Sequence, residues 1–248
     1  MSAEPDTSRT EIMISAILPM LRGLRHVAVG ASSPVPGSAA LLTRALSNGQ
    51  TRVSLLGSRR HNPFTDGGKE LFDCAAQGRI DAFFLSGGQI DGSANINLMG
   101  LGPHEQPKVR FPGSFGSAYL YHIIPRVILF RAEHTPRTLV KAVDLVTAAG
   151  TSPTDEFRPG GPFALITGLC VFTFDRAAGR FTLASTHPGV GARDVRMATG
   201  FDYVEPAVVP STPELSADVR SLLYRQVAGQ IAETYPAFAA ANWPNVQA

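Results

Sequence analysis

The stretch FLSGGQIDGSANINLMG at residues 84–100, continued by KVRFPGSFGSAYLYHIIPRVILF at 108–130, decides how the rest of the chain is read. Residues 81–85 form a short apolar run that stops at Gly87 and Gly88, where a strand leaves a sheet. A loop bearing Gln89, Asp91, Asn95 and Asn97 follows, and the chain bends again at Pro112 and Gly113. Glycines at such bends let backbone N–H groups approach a ligand, and neighbouring amides supply oriented hydrogen bonds. The same spacing suits two plain turns of an α/β protein, and both readings stand on the residues alone.

Upstream, 8–21 (SRTEIMISAILPML) carries an N-cap serine, Glu11 three positions on, and an apolar face, with Pro19 placed to kink or end the helix. HVAVG at 26–30 is a β-prone run ending in glycine, and a helix is expected from about 37 to 46. Such a strand–turn–helix exposes N–H groups at the helix start, where an anion or a thioester oxygen could sit, although an ordinary connecting loop reads the same way. TRVSLL at 51–56 is the next strand, and Asp66 is placed to cap a helix over 67–77. Residues 125–130 and 142–146 read as further strands. Strands alternating with helices point to a mostly parallel sheet flanked by helices.

After a polar loop at 151–161 the pattern changes. Runs at 163–167, 168–175 and 180–185 are close-set and β-prone, and the last two flank the turn 175–179, a hairpin signal. A short helix ending at Gly200 and an amphipathic helix over 212–227 are expected beyond it, with residues 1–8 and 236–248 loose. We find no internal repeat or low-complexity tract, and 1–248 reads as a single domain.

The 248 residues are 44% hydrophobic and 17% charged, enough for a substantial core. A net charge of +2, without a basic run interleaved with aromatics, argues against nucleic acid as partner. The polar start is unlike a secretory signal, and no apolar run approaches the roughly 20 residues a bilayer requires, so a cytoplasmic location off the membrane is expected. Cys74 and Cys170 fit buried thiols better than ligands or a disulfide, and no metal site is expected. A G-x-S-x-G elbow is missing, and Gly100-Leu101-Gly102 lacks the third glycine of a dinucleotide fingerprint. His61 and His122 flank turns where an acid or base could act, though solvent-facing or satisfied histidines are commoner. His187, before Pro-Gly, reads as a turn residue.

GGQIDGSANINLMG at 87–100 resembles the "G-x-Q-V-D-x-x-G-N-x-N" segment of class I CoA-transferase β subunits. PGSFGSAY at 112–119 stands where that family has a "G-S-G-G-A-x-D" turn. EHTPRTLVKAVDLVTAAG at 133–150 is similar to its "H-E-x-x-x-F-V-x-K-V-D-x-x-T". LCVFTF at 169–174, HPGV at 187–190 and ATGF at 198–201 continue the likeness. The resemblance implies the open α/β fold of CoA-transferases with a C-terminal β-hairpin region. It also implies an α-type partner subunit in a heterodimer or heterotetramer, a coenzyme A thioester as substrate, and no permanently bound cofactor. It assigns Gln89 and Gly116 to positioning and oxyanion contacts. Gly30, Ser58, Gly87, Gly88, Asn95 and Gly113 are assigned to substrate or CoA binding, with Asn95 and Asn97 also read as loop-fixing amides.

Two departures accompany the likeness. The family's nucleophilic glutamate follows the second strand, but here that turn is Gly57-Ser58-Arg59-Arg60-His61, without an acid. The family's double glycine has become Phe115-Gly116, and its aspartate Tyr119. These departures resemble a subgroup of CoA-transferase-like hydrolases that open a cyclic acyl-CoA in steroid ring catabolism. Three readings follow: transferase subunit, ring-opening hydrolase subunit, and non-catalytic partner.

Overall fold

A capping serine starts the first helix. The structure, a computed structural model, describes residues 8–244 and forms two compact units, 8–63 with 212–244, and Phe64–Ser211. In α1 (Arg9–Leu21) the Ser8 hydroxyl accepts the Glu11 N–H at 3.3 Å, as the sequence signals. Pro19 lacks the N–H that would bond the carbonyl of Ser15, and the helix stops two residues beyond it. The fully buried strand β1 (His26–Val29) pairs in parallel with β2 (Arg52–Leu55). Between them runs α2 (Pro34–Leu46), which starts three residues earlier than expected because proline suits the first helical turn. Gly37 lets α2 lie close to its neighbours: an added Cβ would stand 3.2 Å from Leu55 and 3.3 Å from Ile231.

The second unit opens with α3 (Gly67–Ala76) and β3 (Ala82–Leu85). Two short ribbons follow, β4 (Gln89–Ile90) with β5 (Ile96–Asn97) and β6 (Gly100–Leu101) with β7 (Val109–Arg110). Next come α4 (Ser117–Ile123), β8 (Arg126–Arg131), β9 (Pro162–Thr167), β10 (Cys170–Asp175), β11 (Arg180–Thr186) and α5 (Ala192–Ala198). Strands β3, β8 and β9 are mutually parallel, and β9, β10 and β11 antiparallel. With the β1–β2 pair, this gives the mostly parallel, helix-flanked strands and terminal hairpin that the sequence suggested. The hairpin turn is fixed by Asp175, whose carboxylate accepts the Ala177 and Ala178 N–H groups at 2.9 Å each, and Gly179 supplies the positive φ. The core here is aromatic, with Phe172 meeting the Phe181, Phe201 and Tyr203 rings at 4.9–5.9 Å between centroids.

Two expectations fail in this unit. Residues 142–146 are not a strand, because side chains take the backbone groups a ladder would use. The Asp144 N–H donates to Gln89 Oε1 at 2.9 Å and the Val143 N–H to Asp91 at 3.4 Å. Asp66 stands at the N-cap of α3 but does not cap it with its side chain. Glu70 reaches back to the Thr65 and Asp66 N–H groups instead, leaving Asp66 to pair with Lys69.

The chain returns to the first unit through α6 (Ala217–Leu222), a π-helical turn at Leu223–Val227, α7 (Ala228–Thr234) and α8 (Pro236–Asn242). This replaces the single helix expected over 212–227, and it corrects the loose tail expected from 236. Trp243 is 1% exposed and stacks edge-on against Phe238, so apolar burial holds this segment. Residues 1–7 and 245–248, also expected to be loose, lie outside the described residues. The buried Glu11 of α1 binds this helical return, accepting from Arg220 Nε at 2.8 Å and the Tyr224 hydroxyl at 2.6 Å.

Candidate active site

In the first unit, the chain leaves β2 through Gly57 at φ +89°, and Ser58 ties the resulting turn together. The Ser58 hydroxyl accepts the Arg60 and His61 N–H groups at 3.2 and 3.0 Å and donates to Glu233 Oε2 at 2.8 Å. The other Glu233 oxygen accepts the Arg59 N–H at 2.8 Å. A turn without an acid of its own thus receives a carboxylate from α7. The Thr234 hydroxyl, the Arg59 N–H and Ser58 hold the Glu233 carboxyl below the usual range. A carboxylate bonded at both oxygens and more acidic than usual is a weak nucleophile. Beside it, Arg44 donates to His61 Nδ1 at 3.3 Å, and burial and the Arg44 charge push His61 down from its ordinary value. Gly30 follows β1 in the same unit, and the Ser33 N–H at the start of α2 donates to the Tyr235 hydroxyl at 3.3 Å.

In the second unit, Gln89, Asp91, Asn95 and Asn97 form one hydrogen-bonded loop. Asn97 Nδ2 donates to Gln89 Oε1 and to the Gly100 carbonyl, both at 2.7 Å, and Asn97 Oδ1 accepts the Met99 N–H. Asp91 accepts the Ser93 and Asn95 N–H groups, and Asn95 Oδ1 accepts the Gly150 N–H at 3.0 Å. These bonds support the loop-fixing reading of both asparagines. Two donors converge on Gln89 Oε1 and fix its amide.

Gly87 and Gly88 lie just beyond the carboxyl end of β3 and line an open cleft of about 390 Å³. Its lining is apolar at Leu98, Leu101, Phe111 and Pro112 and polar at Ser86, Arg131, Glu133, Arg137 and Thr138. The glycines have a packing reason: a Cβ on Gly88 would stand 2.2 Å from the Phe111 ring, and one on Gly87 2.6 Å from Ile96. The Gly88 N–H is engaged by the Asn97 carbonyl at 2.9 Å.

The turn that leads into α4 carries Phe115 at φ +37° and Gly116 at φ +69°, with Gly113 at +105°. Phe115 is 71% exposed, and its ring meets Phe72, which also meets Tyr119. A Cβ on Gly116 would stand 2.5 Å from Phe72.

The other titratable groups divide simply. His134 is buried between the Thr167 and Thr199 hydroxyls at 2.7 and 2.9 Å, and desolvation, then the nearby His187, lowers it to about 4. Cys170 lies 3.8 Å from His134 Nδ1, but burial raises its thiol to about 12, so this is a neutral pair rather than a thiolate–imidazolium couple. His187 opens the expected turn, its carbonyl accepting the Val190 N–H at 2.9 Å, and its buried ring also places Nε2 on the Thr167 carbonyl at 2.9 Å. His122 meets the Phe157 carbonyl at 3.0 Å. Among the described residues no cluster of three or more His, Cys, Asp or Glu could hold a metal, and no helix is long and apolar enough to cross a membrane.

Sequence reading missed Glu233, which is remote in the chain, and the Arg131–Glu133–Arg137 group. The latter had a signal: RVILFR places a charge at the carboxyl end of a parallel strand, where ligands gather in α/β sheets.

Comparison with known proteins follows the same lines. The family described as Coenzyme A transferase matches residues 13–198. The chain is 33% identical over 162 residues to a 3-oxoadipate CoA-transferase subunit of Pseudomonas knackmussii, covering 61% of this chain and 62% of that protein. It therefore spans less than two thirds of that relative's length. It is 29% identical over 173 residues to the cholesterol ring-cleaving hydrolase IpdB subunit of Mycobacterium tuberculosis, covering 63% and 68%. Among solved structures, that of the decarboxylase AibA/AibB superposes with a TM-score of 0.75 at 24% identity, over 95% of this chain and 98% of that one, a likeness of fold.

Proposed function

We propose, on the premise that this chain belongs to the coenzyme A transferase family, that it is the β subunit of a heteromeric CoA-transferase. It would act on acyl-CoA thioesters and carboxylic acids in the cytoplasm, with residues 1–248 as one β-subunit domain. The observation that carries this is the family match over residues 13–198, joined to 33% identity with a transferase subunit. The coenzyme A thioester is the substrate, and an α-type subunit is the partner.

In this reading Gln89 offers Nε2 to the acyl oxygen, and the Gly116 N–H faces the oxyanion that forms as a carboxylate attacks the thioester carbonyl. The C–S bond then breaks and coenzyme A leaves as thiolate. Gly87, Gly88, Asn95 and Gly113 shape the acyl side. Gly30 and Ser58 act on the CoA side, Ser58 through the turn it holds together rather than through a free hydroxyl. Since Glu233 is bonded at both oxygens, the attacking carboxylate comes from the partner subunit or from the acceptor acid.

A second reading, hydrolytic opening of a cyclic acyl-CoA, is favoured by the acid-free turn and the 29% identity to a ring-cleaving hydrolase subunit. One experiment separates the readings. The co-purified complex is incubated with acyl-CoA, trapped with hydroxylamine or borohydride, and each subunit is weighed. Acyl exchange onto an added acid, with any adduct on the partner, supports transfer. A new carboxylate carrying oxygen from labelled water, formed without an acceptor acid, supports hydrolysis. Assembly without turnover supports a non-catalytic subunit, and a mass shift at Glu233 would overturn its exclusion as nucleophile.

A further inference from the structure

A second cluster of positive charge lies at the opposite ends of the parallel strands from Gly87 and Gly88. The loop at 150–158 and the β10–β11 turn come together beside the start of β9, where the Gly161 carbonyl accepts the Val127 N–H at 3.0 Å. An open cleft of about 410 Å³ there carries Arg158, Arg176, Glu156 and the hydroxyls of Thr151, Ser152 and Thr154.

Arg158 is half-buried and lies over the Tyr121 ring at 5.4 Å. Its Nη2 donates to the Ala149 and Tyr121 carbonyls at 2.7 and 3.3 Å, and its Nε to the Gly160 carbonyl at 3.1 Å. Nη1 donates to the Ser152 hydroxyl at 3.3 Å. Four of the five N–H groups are thus used, and the guanidinium is fixed. Every acceptor is neutral, so its charge stays unpaired. Arg176 donates from Nη2 to the Arg158 carbonyl at 3.0 Å. The Nε atoms of both arginines lie within 3.5 Å of one point, the place a Cβ on Gly161 would take. Burial above all, and the Arg176 charge as well, push the Arg158 guanidinium down from its ordinary value. Glu156 lines the cleft and acts on Arg158 only through space. Two like charges held side by side repel unless an anion joins them.

A tetrahedral dianion suits this set. The two guanidiniums match its two charges, and the spare Arg158 N–H and the remaining Arg176 donors match its oxygens. The Ser152 hydroxyl accepts from Arg158 and keeps its own proton to donate. A carboxylate, with two oxygens and one charge, would leave part of the set unused. We propose that this cleft is a phosphate site, separate from the cleft at Gly87 and Gly88. A free phosphate ion or a phosphate monoester bridges Arg158 and Arg176 there and ties the loop at 150–158 to the β10–β11 turn. The site does not depend on the transferase reading.

The test is calorimetry at constant ionic strength on the chain in the complex in which it purifies, with inorganic phosphate, ribose 5-phosphate and acetate as probes. Phosphate should bind with a Kd on the order of a millimolar, at least about tenfold tighter than acetate. Arg176→Gln, at an exposed position, should weaken phosphate about tenfold, and Arg176→Lys should restore part of the loss. A thermal melt checks that both variants fold. As a second measurement, phosphate should slow hydrogen exchange across 150–158 in the native chain and not in Arg176→Gln. Ribose 5-phosphate bound as tightly as phosphate assigns the site to monoesters, and its exclusion assigns it to the free ion; either sustains the site. Phosphate held no tighter than acetate, or held equally by Arg176→Gln, overturns it. Binding that leaves exchange across 150–158 unchanged overturns it as well.

Discussion

The Ser58 hydroxyl donates to Glu233 Oε2 at 2.8 Å across 175 positions of sequence. This bond, with the Arg59 N–H on the other oxygen, makes α7 the clamp of the turn after β2. Glu233→Ala should therefore destabilise the first unit by about 1–3 kcal/mol, and Glu233→Gln by less. A double-mutant cycle with Ser58→Ala should give a coupling of about 1 kcal/mol in urea titrations. Strict additivity would show that the pair contributes nothing.

Gly88 faces Phe111 too closely for a side chain. Gly88→Ala should cost about 1–3 kcal/mol, and shortening Phe111 to Leu in the same chain should recover most of it. Denaturant midpoints of the three variants read the result directly. If the double variant is no better than Gly88→Ala alone, Phe111 is not the obstacle.

Gly116 illustrates how structure changes the design of a test. Gly116→Pro removes the backbone N–H, whereas Gly116→Ala keeps it. At φ +69°, with Phe72 2.5 Å from the new Cβ, alanine is strained and crowded as well. Turnover should fall at least tenfold in Gly116→Ala and recover in part when Phe72→Ala is added, because the N–H remains and only bulk is relieved. Lack of recovery would point to the backbone strain rather than the clash.

His134 sets a pH window. Its folded value, lowered to about 4, lies below the ordinary 6.5, so the unfolded chain binds the extra proton between those values. Stability should be fully present above about pH 6.5, fall as pH drops toward 4 by up to about 1.4 kcal/mol per unit, and then level off for this group. His134→Gln should flatten that slope in urea titrations at pH 4 to 7. An unchanged slope would assign the acid sensitivity elsewhere.

Trp243 reports on the helical return. Trp243→Ala should destabilise by about 3–5 kcal/mol, whereas Trp243→Phe, which keeps an aromatic ring and removes the indole N–H, should cost far less. A thermal melt of each variant decides whether the packing of this segment matters to the fold.

The sequence displays what local patterns control. Ser8 with Glu11 announces α1, the β-prone runs announce the main strands, and Asp175 to Gly179 announces the hairpin. Loop chemistry was legible where amides cluster, at Asn95 and Asn97. What stayed hidden depends on distant partners. Residues 142–146 look like a strand until Gln89 and Asp91 claim their N–H groups. The tail looked loose because an alanine-rich run gives little sign of the core that receives Trp243. The carboxylate at the acid-free turn could not be read at all, since neither period nor motif links 58 to 233.

The discontinuity of the first unit also sets a timetable for its birth on the ribosome. Strands β1 and β2 emerge early, yet the carboxylate that completes the turn after them is 175 residues away. At about 5–20 residues per second, roughly ten to thirty-five seconds pass before Glu233 is even synthesised. During that interval α2 lacks the C-terminal helices it later packs against and Glu11 of α1 lacks Arg220 and Tyr224, so the nascent chain carries an exposed, half-built unit. Stalling synthesis between residues 63 and 212 should therefore leave a product that chaperones retain and proteases cut first near the turn at 57–61.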